Sequence, residues 1–451
     1  MARSTVAGVL IPLGLDRAER APLHRQLYGQ LRDMILAGRV APAERLPSTR
    51  ELARELGVGR NTILAAFDQL LAEGFLEARV GAGTFVARDL PALAAPVRRR
   101  APTGAGASPR VGRASAHGLA LGATMARAGP VHRAFVPSLP ALDAFPHALW
   151  ARLLTRSWRG RAADLPIGEE AVDHPALSAA IAAYLGTARA VRAAAGQVLL
   201  VGGSQQAIGL AARVLLRPGD QALVEDPGYP GARGALLGAD ARLVPVPVDD
   251  EGLDIERGEG KAPGARLACV TPSHQFPLGA IMSLARRLSL LEWARRRRAW
   301  IVEDDYDSEF RYRGRPLAAL QGLDESGRVI YVGSFSKTMF PALRLAYLVV
   351  PADLVATFRR VRAALGYAAS CVAQPAVARF LAEGHLSAHV RRVRQLYLDR
   401  QRALVGAAEH HLAGLATVRA SDAGMHLVAR FGPRLALRLD DRSAAAHGEA
   451  K

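Results

Sequence analysis

The chain has 451 residues, half of them hydrophobic and 22% charged, which excludes a disordered or collagen-like chain and allows roughly two to four domains with large cores. Lysine and arginine total 59 against 41 acids, a formal net charge of +18 that favours a polyanionic partner, although an arginine-rich codon bias produces the same surplus. Two cysteines in unrelated apolar contexts exclude a disulfide framework or a cysteine-based metal site, and no apolar run reaches the 18 or so residues of a membrane span.

The apolar stretch Val6–Leu15 is too short for a signal-peptide core, and the charged run Asp16–Arg20 follows where a small-residue cleavage site belongs. With reduced cysteines, this predicts a cytoplasmic protein. Pro22 then opens a helical pattern with Leu23, Leu27, Leu31, Ile35 and Leu36 on one face, and Gly38 closes it. A second helix starts at Ser48, with Glu51 three residues later as a capping box requires, and Gly57 makes the next turn. A third helix begins near Gly59 and carries Ile63, Phe67, Leu70 and Leu71. Its first turn is polar and basic, as a helix that enters the DNA major groove by its N-terminus requires. Two short strands around the glycines of Val80–Val86 follow and predict a β-wing.

The segments Leu46–Glu51, Arg60-Asn61-Thr62 and Gly81–Val86 resemble the motifs of GntR-type winged helix-turn-helix domains over about residues 20–88. The resemblance implies double-stranded operator DNA as partner. It implies contacts from Arg50, Arg60, Asn61, Thr62 and Thr84, with Arg45 and Ser48 as backbone positioners.

Residues 91–130 are rich in Ala, Pro, Gly and Arg with little apolar periodicity, and predict a flexible linker. The expected layout is therefore a DNA reader over 1–90, a linker over 91–130 and a second domain over 131–451. In that domain apolar runs such as Val198–Val201, Gln221–Val224, Leu267–Val270, Trp300–Val302 and Val329–Val332 alternate with helical stretches. Such alternation predicts an α/β fold with a mostly parallel sheet.

Only three lysines occur, Lys261, Lys337 and Lys451, and only Lys337 lies inside an apolar segment. Arginine replaces lysine on most surfaces but cannot form an imine with a carbonyl cofactor, so Lys337 stands out. Pyridoxal phosphate needs such a lysine, a carboxylate for its pyridine nitrogen, a hydroxyl near its ring oxygen and a phosphate cup. Gly202–Gln206 follows a predicted strand and opens a helix, a start that suits phosphate. Asp226–Pro230 offers Tyr229 for stacking, Glu303–Tyr306 brings acids and a phenol to a strand end, and Arg344 lies seven residues past Lys337.

Together, Gly202–Gln206, Asp226–Tyr229, Glu303–Phe310 and Ser334-Phe335-Ser336-Lys337 with Arg344 resemble the fold-type I aminotransferase domain of MocR-type regulators, the GntR subgroup that carries such a domain. Position by position, the resemblance implies Lys337 as the imine lysine, Asp304 as partner of the pyridine nitrogen and Tyr306 as the phenol beside the ring oxygen. It implies Tyr229 as the stacking ring, and Ser204, Gln205, Ser334, Ser336 and Arg344 as the phosphate cup. In the loop Thr271–Gly279, Phe276 stands where many aminotransferases carry Asn, and His274 reads as a core histidine, with contact to the cofactor region as the alternative. No metal site is expected. Asp173–Ser178 departs from the family pattern, so the loop lining the substrate entrance is expected to differ, and the domain is expected to be shortened at its C-terminus. Arg430, Arg434 and Arg438 are only nearby cations, not a matched carboxylate-binding arginine. The implied function is a homodimeric regulator that senses an amine, an amino acid or the cofactor itself. A working aminotransferase with a DNA-binding appendage and a DNA-binding paralogue without response are the alternatives.

Overall fold

The structure, a computed structural model, describes residues 4–6, 9–11, 13–17, 19, 21–79, 82–90, 114–124, 136–159, 172–314 and 318–432. The chain divides into two compact units, Met1–Gly112 and Arg113–Lys451.

The first unit is built on three helices. Leu23–Leu36 buries Leu27, Leu31, Met34 and Ile35, the i, i+4, i+7, i+8 stripe of an amphipathic helix. Thr49–Glu55 is short and relies on its cap: the Glu51 N–H donates to Ser48 Oγ while the Ser48 N–H donates to the Glu51 carboxylate, both at 3.2 Å. Gly57, at φ +61°, makes the turn to Arg60–Ala72, which buries Ile63, Ala66, Phe67 and Leu70. Antiparallel strands Leu76–Arg79 and Gly83–Val86 form the wing, and the Leu46 N–H donates to the Thr84 carbonyl to tie it to the helices. Val80 and Gly81 lie outside the described residues. A short antiparallel pair, Ser4–Val6 with Val9–Ile11, occupies much of the apolar N-terminal stretch and was not anticipated.

The second unit carries an eight-stranded mixed sheet. Its order is Val198–Val201, Ala346–Val349, Val329–Ser334, Trp300–Asp305, Leu267–Val270, Gln221–Asp226, Arg242–Asp249 and Gly252–Leu253. Ala346–Val349 runs antiparallel to both its neighbours, and Gly252–Leu253 to its one. The other adjacent pairs are parallel. Apolar runs such as Val198–Val201 and Leu267–Val270 are buried at every position, which only a sheet covered on both faces can accommodate. The helix Ser204–Leu215 packs on one side with Phe358 and Leu236, and helices Pro175–Arg189 and Gln374–Ala382 pack on the other.

Two expectations need correction. Within the predicted linker, residues 114–124 hold the helix Ala116–Ala123, capped by Ser115 Oγ accepting from the Gly118 N–H at 3.0 Å. Leu121 and Thr124 set it against Gly234 of the helix Pro230–Leu237, where the missing side chain allows close approach. One short contact leaves no periodic signature in an Ala- and Gly-rich stretch. The remaining linker positions lie outside the described residues. The second correction concerns Asp173–Ser178. Asp173 is a structural anchor: it takes both Arg362 amines, at 2.5 and 2.9 Å, and the Leu200 N–H at 2.9 Å.

Arg362 is 3% exposed, so its removal leaves the Asp173 carboxylate with only the more distant Arg359, at 3.9 Å, in a nearly dry site. Arg362→Ala is expected to cost the second unit about 3–5 kcal/mol, read from its urea midpoint. A loss below about 1 kcal/mol would show that solvent reaches the pair.

Candidate functional site

The predicted residues of the second unit meet where the parallel strands end, the edge of an open α/β sheet at which ligands bind. Tyr229 follows the strand Gln221–Asp226, Asp304 lies at the end of Trp300–Asp305 with Tyr306 just beyond it, and Ser334 ends Val329–Ser334 with Ser336 and Lys337 just beyond. Ser204 and Gln205 open the helix that follows Val198–Val201.

Asp304 and Asp305 are adjacent and both buried, yet their environments differ. Asp305 accepts from Arg189 Nε at 2.8 Å, Ser308 Oγ at 2.9 Å and Tyr331 Oη at 2.6 Å. Burial acts to raise its pKa, but Arg189 and these hydrogen bonds outweigh that and hold it low. Asp304 has no such cation; its Oδ1, like the Oδ1 of Asp305, is buried with no hydrogen-bond partner. Burial first, then the charges of Asp305 and Glu225, push it up to about 7, with Lys337 partly offsetting them. Burial also lowers the pKa of the Lys337 amine, against the pull of Asp307 and Asp304, which favours the neutral nucleophile. Its Nζ donates to the Ser138 carbonyl at 2.8 Å.

Arg344 follows the turn Pro341–Leu343 in the left-handed region, φ +48°, at a cost of about 1 kcal/mol. Its guanidinium lies 3.4 Å from where a β-carbon on Gly203 would stand, and so meets the open N-terminus of the helix Ser204–Leu215. Ser204 also reaches the Tyr229 hydroxyl, whose pKa burial raises. A side chain on Gly231 would collide with the Tyr229 ring and come within 2.7 Å of Gln205 Nε2, so that glycine lets both side chains approach. Ser334 Oγ accepts from the Ser336 N–H at 3.0 Å, which tightens the turn before Lys337.

These residues fit pyridoxal phosphate. The orphaned Asp304 oxygen lacks only an N–H donor, and a protonated ring nitrogen is one. A helix start with an arginine beside it suits a dianion.

Two buried groups, His274 and Glu225, back the site. His274 is buried as expected of a core histidine, but its Nδ1 lies 3.1 Å from Tyr306 Oη and 3.0 Å from Asp307 Oδ2. It therefore touches the site through Tyr306. The partner carboxylate, Asp307, comes from just beyond the strand Trp300–Asp305 and is brought to the loop Thr271–Gly279 only by the fold. Glu225 is a second such group: it accepts from the Thr271 N–H and hydroxyl and from Gln275, and burial raises its pKa to about 7. Phe276 packs edge-on against Tyr229 and Tyr306, so an apolar ring fills the place where Asn was looked for. Arg430 lies on the exposed strand Ala429–Phe431, while Arg434 and Arg438 are outside the described residues.

In the first unit, Arg45, Ser48, Arg50, Arg60 and Asn61 are exposed and Thr62 and Thr84 half-buried. Arg60 Nε donates to Thr49 Oγ1 at 3.3 Å, which brings together the N-termini of the second and third helices. Arg45 lies along the wing, its Nε 3.1 Å from where a β-carbon on Gly83 would stand. Ser48 is occupied as a helix cap.

Asp304 ionises near 3.8 when unfolded and at about 7 in the fold, so the fold binds its proton more tightly. Its contribution to stability is full below about pH 4 and is lost as pH rises through about 7. Glu225, Glu303 and Glu309, also raised to about 7 by burial, add the same trend. Asp304→Asn is expected to flatten part of this decline in cofactor-free protein. Melting temperatures between pH 4 and 8 test it, and an equally steep decline in the variant would count against an ionised, unpaired Asp304.

Comparison with known proteins places both units. Residues 23–86 match the bacterial regulatory proteins of the gntR family, and residues 170–445 match aminotransferase class I and II, a pyridoxal-phosphate-dependent family. The chain is 47% identical over 425 residues to the probable rhizopine catabolism regulatory protein MocR of Rhizobium meliloti, covering 93% of this chain and 84% of that one. It is 35% identical to the HTH-type transcriptional regulator TauR of Rhodobacter capsulatus, over 86% of this chain and 80% of that one. Among solved structures it resembles LysN, an α-aminoadipate aminotransferase of Thermus thermophilus complexed with N-(5'-phosphopyridoxyl)-L-leucine. That match has a TM-score of 0.61 and 28% identity, and covers 70% of this chain and 80% of that one. No helix among the described residues is long and apolar enough to cross a membrane. Matched along nearly its whole length, the chain belongs to the MocR-type family of GntR helix-turn-helix transcriptional regulators, in which an aminotransferase class I and II domain follows the DNA-binding domain.

Proposed function

We propose that this regulator holds pyridoxal phosphate on Lys337 and uses it to sense a small amine or amino acid. The observation that carries the reading is the buried, unpartnered Asp304 oxygen in the same site as a buried lysine of lowered pKa. Asp304 holds a proton on the ring nitrogen, Tyr306 faces the ring oxygen and Tyr229 stacks on the ring. Ser204, Gln205, Ser334, Ser336 and Arg344 take the phosphate. When bound, the cofactor would supply an electrophilic carbon open to the Lys337 amine or to an incoming primary amine. An effector shifts the conformational balance only by its differential affinity for the two states, so its far end must also be recognised.

The first unit reads duplex DNA through Arg50, Arg60, Asn61, Thr62 and Thr84, with Arg45 and Ser48 positioning the backbone. The chain acts in the cytoplasm as a homodimer on paired half-sites. Residues 1–90 form the reader, and residues 131–451 the sensor.

Lys337→Ala is expected to abolish the visible absorption of the bound cofactor, and a band that survives would refute the attachment. Amines titrated into wild type should shift that band without steady release of keto acid. Turnover at about 1–1000 per second from a common amino acid would instead establish a working aminotransferase. For the reader, Arg60→Ala is expected to weaken operator binding by about 1–3 kcal/mol. A chain lacking residues 1–88 that still selects the same operator would refute that assignment.

A further inference from the structure

Asp307 sits at the centre of a buried hydrogen-bond chain that reaches the site through Tyr306. Its Oδ2 accepts from His274 Nδ1 at 3.0 Å and from the Met425 N–H at 3.2 Å. His274 Nδ1 also lies 3.1 Å from Tyr306 Oη. The His274 side chain is 0% exposed and that of Asp307 1%. Three separate pieces of chain meet here: the loop after Leu267–Val270, the end of Trp300–Asp305, and the segment before Ala429–Phe431.

The proton positions follow by elimination. A carboxylate only accepts, so the hydrogen between His274 and Asp307 is on Nδ1. The bare Nε2 then accounts for a buried ring atom without a partner, since an unpaired lone pair costs less than an unpaired N–H. With its hydrogen on Nδ1, His274 cannot accept from Tyr306. Tyr306 therefore receives the shared N–H, and its own O–H is left to point into the site. Burial pushes the Tyr306 phenol well above its usual pKa, so that hydrogen stays in place. The titratable groups facing Tyr306 are Asp304, Asp305 and Asp307 from its own strand end, Glu225 from Gln221–Asp226, and His274.

The Met425 end is held as closely. The Gly424 N–H donates to the Phe310 carbonyl at 2.7 Å, and Tyr312 Oη donates to the Gly424 carbonyl at 2.5 Å. Gly424 is at φ +85°, and a β-carbon there would fall inside the His274 ring. His426 follows, its ring 4.8 Å from that of His274 and its Nε2 donating to the Pro277 carbonyl at 2.9 Å.

We propose that Asp307 and His274 form a positioning relay that reserves the Tyr306 hydrogen for the cofactor's ring oxygen and makes that reservation depend on the seating of residues 423–426. The ring-oxygen half rests on the cofactor reading above. When residues 423–426 move, Asp307 loses the Met425 N–H and His274 loses its cover, so Tyr306 is no longer held as a donor. The relay thus couples the electronic state of the bound cofactor to the position of the C-terminal segment.

Two measurements test it. In cofactor-free protein, Asp307→Ala should speed amide exchange at Met425 by about tenfold, the loss of one hydrogen bond, while Tyr306→Phe should not. In protein loaded with pyridoxal phosphate, His274→Ala should raise the pH midpoint of the cofactor's visible absorption by about half to one unit, because a lost donor makes the ring oxygen more basic. His274→Asn, which returns an N–H near the same place, should keep the wild-type midpoint. If His274→Ala does not fold, Gly424→Ala probes the same link from the other side and should raise the midpoint likewise. An unchanged midpoint in a folded, loaded His274→Ala protein, or unchanged Met425 exchange in Asp307→Ala, overturns the relay. So does zinc held one-to-one by wild type and lost in His426→Ala, since His274, Asp307 and His426 also lie close enough to share a metal. A wild type that takes up no cofactor refutes the underlying reading, and the missing band tells that failure from a failed relay.

Discussion

The site depends on how one buried strand divides its charge. Successive side chains of Trp300–Asp305 point to opposite faces of the sheet, so Asp304 and Asp305 cannot share a partner. Asp305 faces the side of the helix Pro175–Arg189 and is neutralised by Arg189, with Ser273 holding the far side of the guanidinium at 2.5 Å. Asp304 faces the helix Ser204–Leu215 side and finds no cation of its own. An ionised carboxylate in such a place is costly unless a donor arrives from outside. The pair is therefore structural on one face and poised for a ligand on the other.

The remaining site groups are placed by the ends of neighbouring parallel strands. Each strand is buried along its length, so the first positions free to meet a ligand are those just past its end. Ser204, Tyr229, Tyr306 and Lys337 all occupy such positions. Arg344 reaches the group from a left-handed turn that the surrounding packing maintains. The loop Thr271–Gly279 closes the group from behind, with Gln275 and Thr271 satisfying the buried Glu225.

The DNA-binding unit follows a different logic. Its middle helix has seven residues, too few to be stable by propensity, and Leu52 is its one buried side chain. The Ser48–Glu51 capping box and the contact with the third helix hold it. Ser48 is engaged in that cap and so fixes the start of the helix that carries Arg50.

The sequence alone determined whatever is local or periodic. The capping box at Ser48, the helical stripe of Leu27, Leu31 and Ile35, the fully apolar strands, and a lone apolar-context lysine beside Ser334 and Ser336 were legible because each signal lies within one element. The tertiary structure decided what depends on residues far apart in the chain. Asp304 and Asp305 look alike in sequence, and only the position of Arg189, 116 residues away, makes one paired and the other not. His274 reads in sequence as a core histidine because Tyr306 and Asp307 reach it from beyond the end of another strand. Asp173 read as part of a substrate loop because Arg362 is 189 residues distant. Helix Ala116–Ala123 was hidden because its stabilising contact is a glycine on another helix. Propensity and periodicity act over a few residues, whereas burial and charge pairing act over a few ångströms in space, and only the fold converts one distance into the other.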